Sequence, residues 1–420
     1  MMKMTISTGL AATLLVATLP PGLAMAEAPA AATTPYSPHV GPSHPTRVLW
    51  GDTHLHTSLS LDARAFGVKL DPEIAFRFAR GEQVRSTSGE PVRLARPLDF
   101  LVVADHSDGL GAMNEIISGN PALISDPTIR RWHEMINAGG QSAFDAYMDV
   151  VLKLTNGPVP DGLKDNKAFA RSIWESYTAH ADKYNEPGRF TAFVGYEWTS
   201  TPGGNNLHRV VIYRDGADKA RQQLPFTMAQ SQDPADLWQA LRGYEEATGG
   251  QVLAIAHNGN LSNGLMFAMS DFAGNPVSRA YAEQRMRWEP VYEVTQSKGD
   301  GEAHPLRSPN DEFADYETWD AWNMGPVKKT PEMIPYEYAR EALKNGLRLE
   351  QTLGANPFKF GMIGSTDSHT SLATADDDNF FGKHSAAEPS PERMEHPFAK
   401  FGDVAIYGWE TLASGYAGVW

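Results

Sequence analysis

Cysteine is absent from all 420 residues. That excludes disulfides, a thiolate nucleophile and sulfur-held zinc, so any metal ion must be held by His, Asp and Glu. Such ligands suit zinc, manganese, iron or magnesium. Basic charge is also scarce: 36 Lys and Arg stand against 51 Asp and Glu, a formal net charge of −15. General binding to a nucleic-acid backbone calls for the opposite sign. A single phosphate at a local cationic or metal site is still compatible with it. No Gly-x-Ser-x-Gly elbow occurs, so a serine hydrolase of that type is not encoded. Beyond the N-terminus no apolar run is long enough to cross a membrane.

The N-terminus reads as an export signal. Lys3 supplies the positive charge, Ile6 to Leu19 the apolar stretch, and Ala24-Met25-Ala26 the small-x-small cleavage pattern. We therefore expect residues 1–26 to be removed and the protein to be periplasmic or secreted. Residues 27–46, rich in Ala, Pro, Ser and Thr, read as a flexible leader. The remaining length, with ten tryptophans, is ample for one large α/β domain or two smaller ones.

The chain is organised around residues 48–62. Val48-Leu49-Trp50 leads into His54-Leu55-His56, and on a strand these two imidazoles share a face. Asp52 and Asp62 flank them. The device then repeats. Leu98 to Val103 runs into Asp105 and His106, and Phe190 to Gly195 into Glu197. Gln251 to Ala256 runs into His257, and Phe360 to Gly364 into Asp367 and His369. His208 opens the strand 208–213, which is expected to pair antiparallel with its predecessor. In parallel α/β folds ligands sit outside the carboxyl ends of strands. Six of the thirteen histidines belong to this set, and such a gathering is costly unless paired or metal-bound.

Between these strands, Asp71 and Pro72 start a helix as N-cap and first helical residue, and residues 81–97 read as a hairpin or loop. Helical spacing of Trp132, Met135, Ile136, Phe144, Tyr147, Met148, Val151, Leu152, Phe169, Ile173, Trp174 and Tyr177 marks an insertion at about 110–189. His133 and His180 inside it read as core or surface residues. A second insertion spans about 261–345. Further helices are expected at 234–247 and about 336–349, a strand at 291–295, and a turn-rich tail after 369.

Gly51-Asp-Thr-His-Leu-His-Thr57, Ala104-Asp-His106, Gly195-Tyr-Glu-Trp198, His257-Asn-Gly-Asn260 and Thr366-Asp-Ser-His369 resemble the motif series of the polymerase-and-histidinol-phosphatase (PHP) superfamily. More narrowly they resemble its secreted branch known as a domain of unknown function (DUF3604-like), over about residues 47–420. The resemblance implies a distorted seven-stranded β/α barrel with helical insertions and two or three divalent ions (zinc, manganese or iron). By resemblance, a first ion takes His54, His56, Glu197 and Asp367. A second shares Glu197 and takes His208 and His257, and a third takes Asp62, His106 and His369. Asp62 lies one residue further from His56 than the common superfamily spacing, which leaves Ser60 and Asp52 as alternatives. Family members usually extend beyond the position of Val419-Trp420, so a C-terminally truncated chain is a further expectation.

The function implied is hydrolysis of a small-molecule phosphate mono- or diester by metal-activated hydroxide, with Glu197, Asp367 and His369 as catalytic residues. A bridging Glu197 would hold two ions about 3.5–4 Å apart. Arg209, Asn258 and Lys298 are candidate phosphate contacts, and Asp105 is expected to orient His106. Sulfate-ester or amide hydrolysis on the same site, and a non-catalytic metal- or ligand-binding protein, stay open. The insertions' aromatics suit either a substrate pocket or cores of their own.

Overall fold

The computed structural model describes residues 45–420, apart from 140–141, 144, 148, 151–152, 154–156, 158, 165–166, 326, 386–387, 390–393, 396, 402–403, 408–410 and 412–413. The expected signal, the leader up to residue 44, and Phe144, Met148, Val151 and Leu152 lie outside the described residues.

Strand β1 (Leu49–Leu55) opens the fold. The helix Pro72–Ala79 starts where Asp71 accepts a hydrogen bond from the Ile74 amide, as the N-cap reading requires. Residues 81–97 form a hairpin of β2 (Val84–Arg85) and β3 (Pro91–Val92). Next comes β4 (Phe100–Val103), every residue of it buried. The first insertion is helical, with helices Ala112–Ser118, Pro121–Ile124, Pro127–Ala138 and Lys167–Tyr184. Met113, Ile116, Ile129 and Trp132 form a core together with Leu61 and Ala65, whereas Trp174 and Tyr177 of the last helix join the main core. At about 1.5–3 kcal/mol for each large apolar side chain buried, these cores account for these residues without a pocket.

The stretch 190–198 departs from the single strand expected. It divides into β5 (Thr191–Phe193) and β6 (Gly195–Trp198), which belong to different sheets. The switch falls at Gly195, where a Cβ would meet Val102 Cγ1 at 2.4 Å, so only glycine lets the backbone approach β4 this closely. Then follow β7 (Arg209–Tyr213), the helix Pro234–Thr248, β8 (Val252–His257), the helix Arg279–Trp288, β9 (Val291–Gln296), β10 (Gly299–Asp300), the helix Ala339–Leu353 and β11 (Gly361–Gly364). The tail is not only turns. It holds a hairpin of β12 (Pro397–Phe401) and β13 (Val404–Tyr407), and β14 (Ala417–Val419) pairs antiparallel with β1. Local pattern did not reveal that pairing, because the partner strand lies at the other end of the chain.

The fold is mixed α/β. One sheet has the order β14-β1-β4-β5, and another the order β10-β9-β8-β7-β6 with β11 also on β9. The pairs β1–β4, β8–β9 and β9–β11 are parallel, whereas β6–β7 and β7–β8 are antiparallel. Parallel bridges Leu55–Ser368 and His106–Glu197 link the two sheets. Val102, Ala104, Val210 and Ile255, from strands of both sheets, form a small shared core. A larger core packs Phe76, Phe78, Trp174, Trp198 and Trp238 among the helices and strands. No helix among the described residues is long and apolar enough to span a membrane.

Arg209 belongs to this scaffold. It is 1% exposed, and its Nε donates to Glu289 Oε1 at 3.0 Å. Glu289 also accepts from Trp238 Nε1 at 2.9 Å and pairs with Arg285 at 3.2 Å. Removing one partner of a buried ion pair leaves the other charge without compensation. Glu289→Ala should therefore cost about 3–5 kcal/mol in a denaturant melt, while bound metal per folded chain stays unchanged.

Candidate metal centre

Strand direction explains how distant residues meet. β1, β4, β6, β8 and β11 deliver residues at or just past their C-terminal ends. β7 runs antiparallel to its neighbours, so the residue before its start, His208, reaches the same end. His54 in β1 and His56 just past its end, two residues apart, are both fully buried, with their Nε2 atoms 3.0 Å apart. Asp367 (φ 46°) and Asn258 (φ 49°) take the left-handed conformation that Asp and Asn tolerate better than most residues. Asp367 thereby directs its carboxylate back to the two histidines, with Oδ1 3.2 Å from His56 Nε2 and 3.5 Å from His54 Nε2.

Glu197 is the hub. Its Oε1 lies 2.7 Å from His257 Nε2, 2.9 Å from His208 Nδ1 and 3.7 Å from His54 Nε2. Its Oε2 lies 2.6 Å from His106 Nδ1 and 3.5 Å from His56 Nε2. Asp62 joins the far side, 3.1 Å from His106 Nε2 and 2.9 Å from His369 Nε2. Of the three candidates near His56, Asp62 is thus the one in the cluster. Ser60 instead contacts His56 Nδ1 at 2.7 Å. Asp52 accepts from Thr366 N at 3.0 Å and Thr366 Oγ1 at 2.6 Å, tying β1 to the turn after β11.

Three groups of side chains could each hold an ion: His54, His56 and Asp367; His54, Glu197 and His257; and His56, His106 and His369. His257 Nε2 and Glu197 Oε2 are buried without an aligned hydrogen bond, although each has a close neighbour. Buried polar atoms are normally satisfied. Close contacts without donor–acceptor alignment are what lone pairs aimed at a shared cation produce, so the donor set fits a metal. The grouping differs in detail from the family-derived assignment: His54 and His56 each serve two groups, while His208, on Glu197, and Asp62, on His106 and His369, fall in none of the three.

Residues 43–420 match the family described as "Protein of unknown function (DUF3604)". The chain belongs to this family. No curated protein matches it. A solved structure, described as "Crystal Structure of PsfC from Pseudomonas syringae PB-5123", is similar at 13% identity, covering 78% of this chain and 79% of that one, with a TM-score of 0.28.

Around the cluster of this DUF3604 member lies a layer of residues that fix the imidazoles. Glu293 on β9 is 1% exposed and meets His54 Nδ1 at 3.1 Å. It was not legible as part of a motif; its only signal was a carboxylate within the apolar strand Val291–Gln296. Asp105 orients His56, not His106 as expected. It accepts from Ser60 Oγ at 2.6 Å, and Ser60 in turn contacts His56. Successive residues at a strand end point to opposite sides, which separates Asp105 from its neighbour's ring. Thr199 contacts His106 Nδ1 and Thr201 contacts His208 Nε2, both at 2.9 Å.

The predicted substrate contacts divide. Lys298 reaches the cluster and pairs with Asp367 Oδ2. Asn258 is buried beside His257, its amide donating to Asn260 Oδ1 at 3.1 Å. Arg209 is turned away, because it alternates with His208 and faces Glu289. Lys383, which no motif marked, lies 2.6 Å from Asp367 Oδ1. His133 and His180 bond backbone carbonyls of the helical insertion, as a core or surface role requires.

Burial opposes charge on every one of these groups, and the outcome depends on neighbours. Without metal, burial would lower His54, but Glu293 and Asp367 outweigh it and raise His54 to about 10. Glu197 stays well below the usual carboxylate range, because His106 and His208 overcome its burial. His56 is pushed well down by burial and by the charges of His369 and His106.

Two outcomes follow. His54 is protonated in the metal-free protein below about pH 10 and must lose that proton to ligate. Metal uptake at pH 8 should release protons in a pH-stat titration, and affinity should rise with pH up to that value. Glu293→Gln should weaken metal binding about 10–100-fold in a chelator competition, with the fold retained by circular dichroism.

Proposed function

We propose that this protein is an exported, metal-dependent hydrolase of the PHP type that acts on a phosphate mono- or diester of a small molecule. The observation that carries this reading is Glu197, a buried carboxylate with imidazoles on both oxygens and a second carboxylate, Asp367, across the same two histidines. The motif series and the DUF3604 match support the family part of the reading. A distorted seven-stranded barrel of β1, β4, β6, β7, β8, β9 and β11 is part of the proposal. The two bridges between sheets and the small core shared by β4, β7 and β8 support it. Export rests on the sequence of residues 1–26.

His54, His56, Asp367, Glu197, His257, His208, Asp62, His106 and His369 would hold two or three divalent ions, with zinc, manganese or iron suited to this nitrogen and oxygen donor set. Bound there, the ions supply a hydroxide near neutral pH and neutralise charge on the ester oxygens. The chain's own residues do the rest. Glu197 ties the imidazole groups together, and Asp367 and His369, both buried, add a carboxylate and a ring to the same cluster. The Glu293, Ser60–Asp105 and Thr199 contacts hold the rings in one orientation, so little reorganisation is needed as charge develops. Lys298 is positioned to meet an anionic substrate.

The test is elemental analysis of the exported protein, with assays against chromogenic phosphate monoester, phosphate diester and sulfate ester on the same sample. We expect two or three ions per chain and phosphoester turnover. Turnover of sulfate alone would replace the reaction class, and stoichiometric metal with no turnover would favour a binding protein. Glu197→Gln should lower kcat at least about 100-fold, the scale set by losing a preorganised charged group at a site of this kind. Full activity in that variant would remove Glu197 from its central role.

A further inference from the structure

Four side-chain oxygens meet in a row at the β2–β3 hairpin. Ser86 Oγ donates to Glu90 Oε2 at 2.8 Å, and Ser88 Oγ donates to Glu388 Oε2 at 2.7 Å. The two hydroxyl oxygens between them lie 3.0 Å apart. A hydroxyl carries one proton. Ser86 gives its proton to Glu90 and Ser88 gives its own to Glu388, so the contact between the hydroxyls has none. Two sets of lone pairs face each other there.

A second observation points the same way. Glu388 is 1% exposed, and its Oε1 is buried with no hydrogen-bond partner among the described residues. Since the other oxygen of this carboxylate sits on Ser88, Oε1 belongs to the same cluster. A buried carboxylate oxygen without a donor is costly. Burial accordingly pushes Glu388 above the usual carboxylate range, against the hydrogen bonds from Ser88 and Ser86.

Further acidic charge is held beside the cluster. Glu90, Asp377 and Asp378 line a cleft of about 430 Å³, in which Arg93 is the basic residue. The Asn379 side-chain amide donates to the Arg93 carbonyl at 3.2 Å, and its backbone amide to the Asp376 carbonyl at 3.0 Å. The acidic turn 376–379 is thereby pinned to the hairpin. Glu388 reaches the same hairpin from 300 residues away in the chain.

We propose that Glu90, Glu388, Ser86 and Ser88 form a calcium site that fastens the segment after β11 to the β2–β3 hairpin. The donors are all oxygen, which suits a hard cation, whereas zinc favours the imidazoles of the other centre. Calcium accepts six to eight oxygens in flexible geometry, with carboxylates in one- or two-oxygen contact and water completing the shell. Magnesium demands octahedral geometry and keeps more of its water. With calcium bound, the facing lone pairs and Glu388 Oε1 all meet positive charge. Asp377 and Asp378 add attraction at the cleft. The inference is independent of the reaction proposed above.

The probe is calcium alone, titrated calorimetrically into the zinc-loaded full-length protein after excess zinc is removed. We expect one calcium per chain, with a dissociation constant of about 0.1–1 mM, the range of extracellular calcium modules. The melting temperature should be higher in calcium than in the same concentration of magnesium. Glu90→Gln and Glu388→Gln should each weaken calcium binding about tenfold or more, with zinc content unchanged by elemental analysis. Glu90→Gln, at the exposed position, decides the question if Glu388→Gln fails to fold. Wild-type calcium affinity in the folded glutamine variants would overturn the site. So would calcium uptake matched by loss of zinc, which would place calcium among the imidazoles. Equal affinity for magnesium would overturn the assignment to calcium. Absence of calcium binding by the wild type would overturn the proposal and leave a proton on Glu388 as the balance of the cluster.

Discussion

The structure depends on the mutual neutralisation of imidazoles and carboxylates at one buried end of its strands. Glu197 is 1% exposed, and His54, His56 and His257 are fully buried. None of these groups would tolerate such a place alone, since burial of an isolated charge costs far more than a fold can spare. Their positions are over-determined from outside. Glu293 holds His54, Ser60 and Asp105 hold His56, and Thr201 holds His208. Asp52 clamps the turn carrying Asp367 to the first strand and is pushed up to about 6 by burial against its hydrogen bonds. Rigid support of this kind is what a metal site needs if its ligands are to keep one orientation.

Much of the remaining chain serves that end. The helical insertion is tied to that frame by its last helix, where Trp174 and Tyr177 join the main core and the Tyr177 hydroxyl donates to the Val103 carbonyl at 2.6 Å. Arg209, Glu289, Trp238 and Arg285 form a polar knot behind β7, on the side facing away from His208. The two faces of one strand thus serve scaffold and site, which is the ordinary consequence of side chains alternating along it. β14 covers the outer edge of β1, and Trp50 packs over Gly418 there. The strand that carries His54 and leads into His56 is therefore paired on both sides.

How legible this was depended on the range of the interactions. Each strand-end residue stood in a local pattern, an apolar run followed by a ligand type, and the nine metal candidates were found that way or by family resemblance. The supporting groups had no such mark. Glu293 sits within a strand and Lys383 in a segment without repeating pattern, and both act on partners far away in the chain. Arg209 misled for a related reason: its neighbour His208 faces the cluster, and alternation sends the next side chain to the opposite side. The division of 190–198 into β5 and β6 was equally hidden, because it turns on the contact of Gly195 with Val102.

The sequence by itself determined the donor chemistry. Without cysteine, and with histidines and carboxylates placed after apolar runs, only a nitrogen and oxygen metal site was available, and local hydrophobic pattern placed most helices and strands. The tertiary structure alone decided how these pieces meet. It made Asp62, not Ser60 or Asp52, the residue between His106 and His369, set Asp105 behind His56, and joined two lysines from separate loops at Asp367. The physical reason is that residue type and periodicity are local properties of the chain. Charge compensation at a buried point is settled only when strands far apart in sequence bring their ends together.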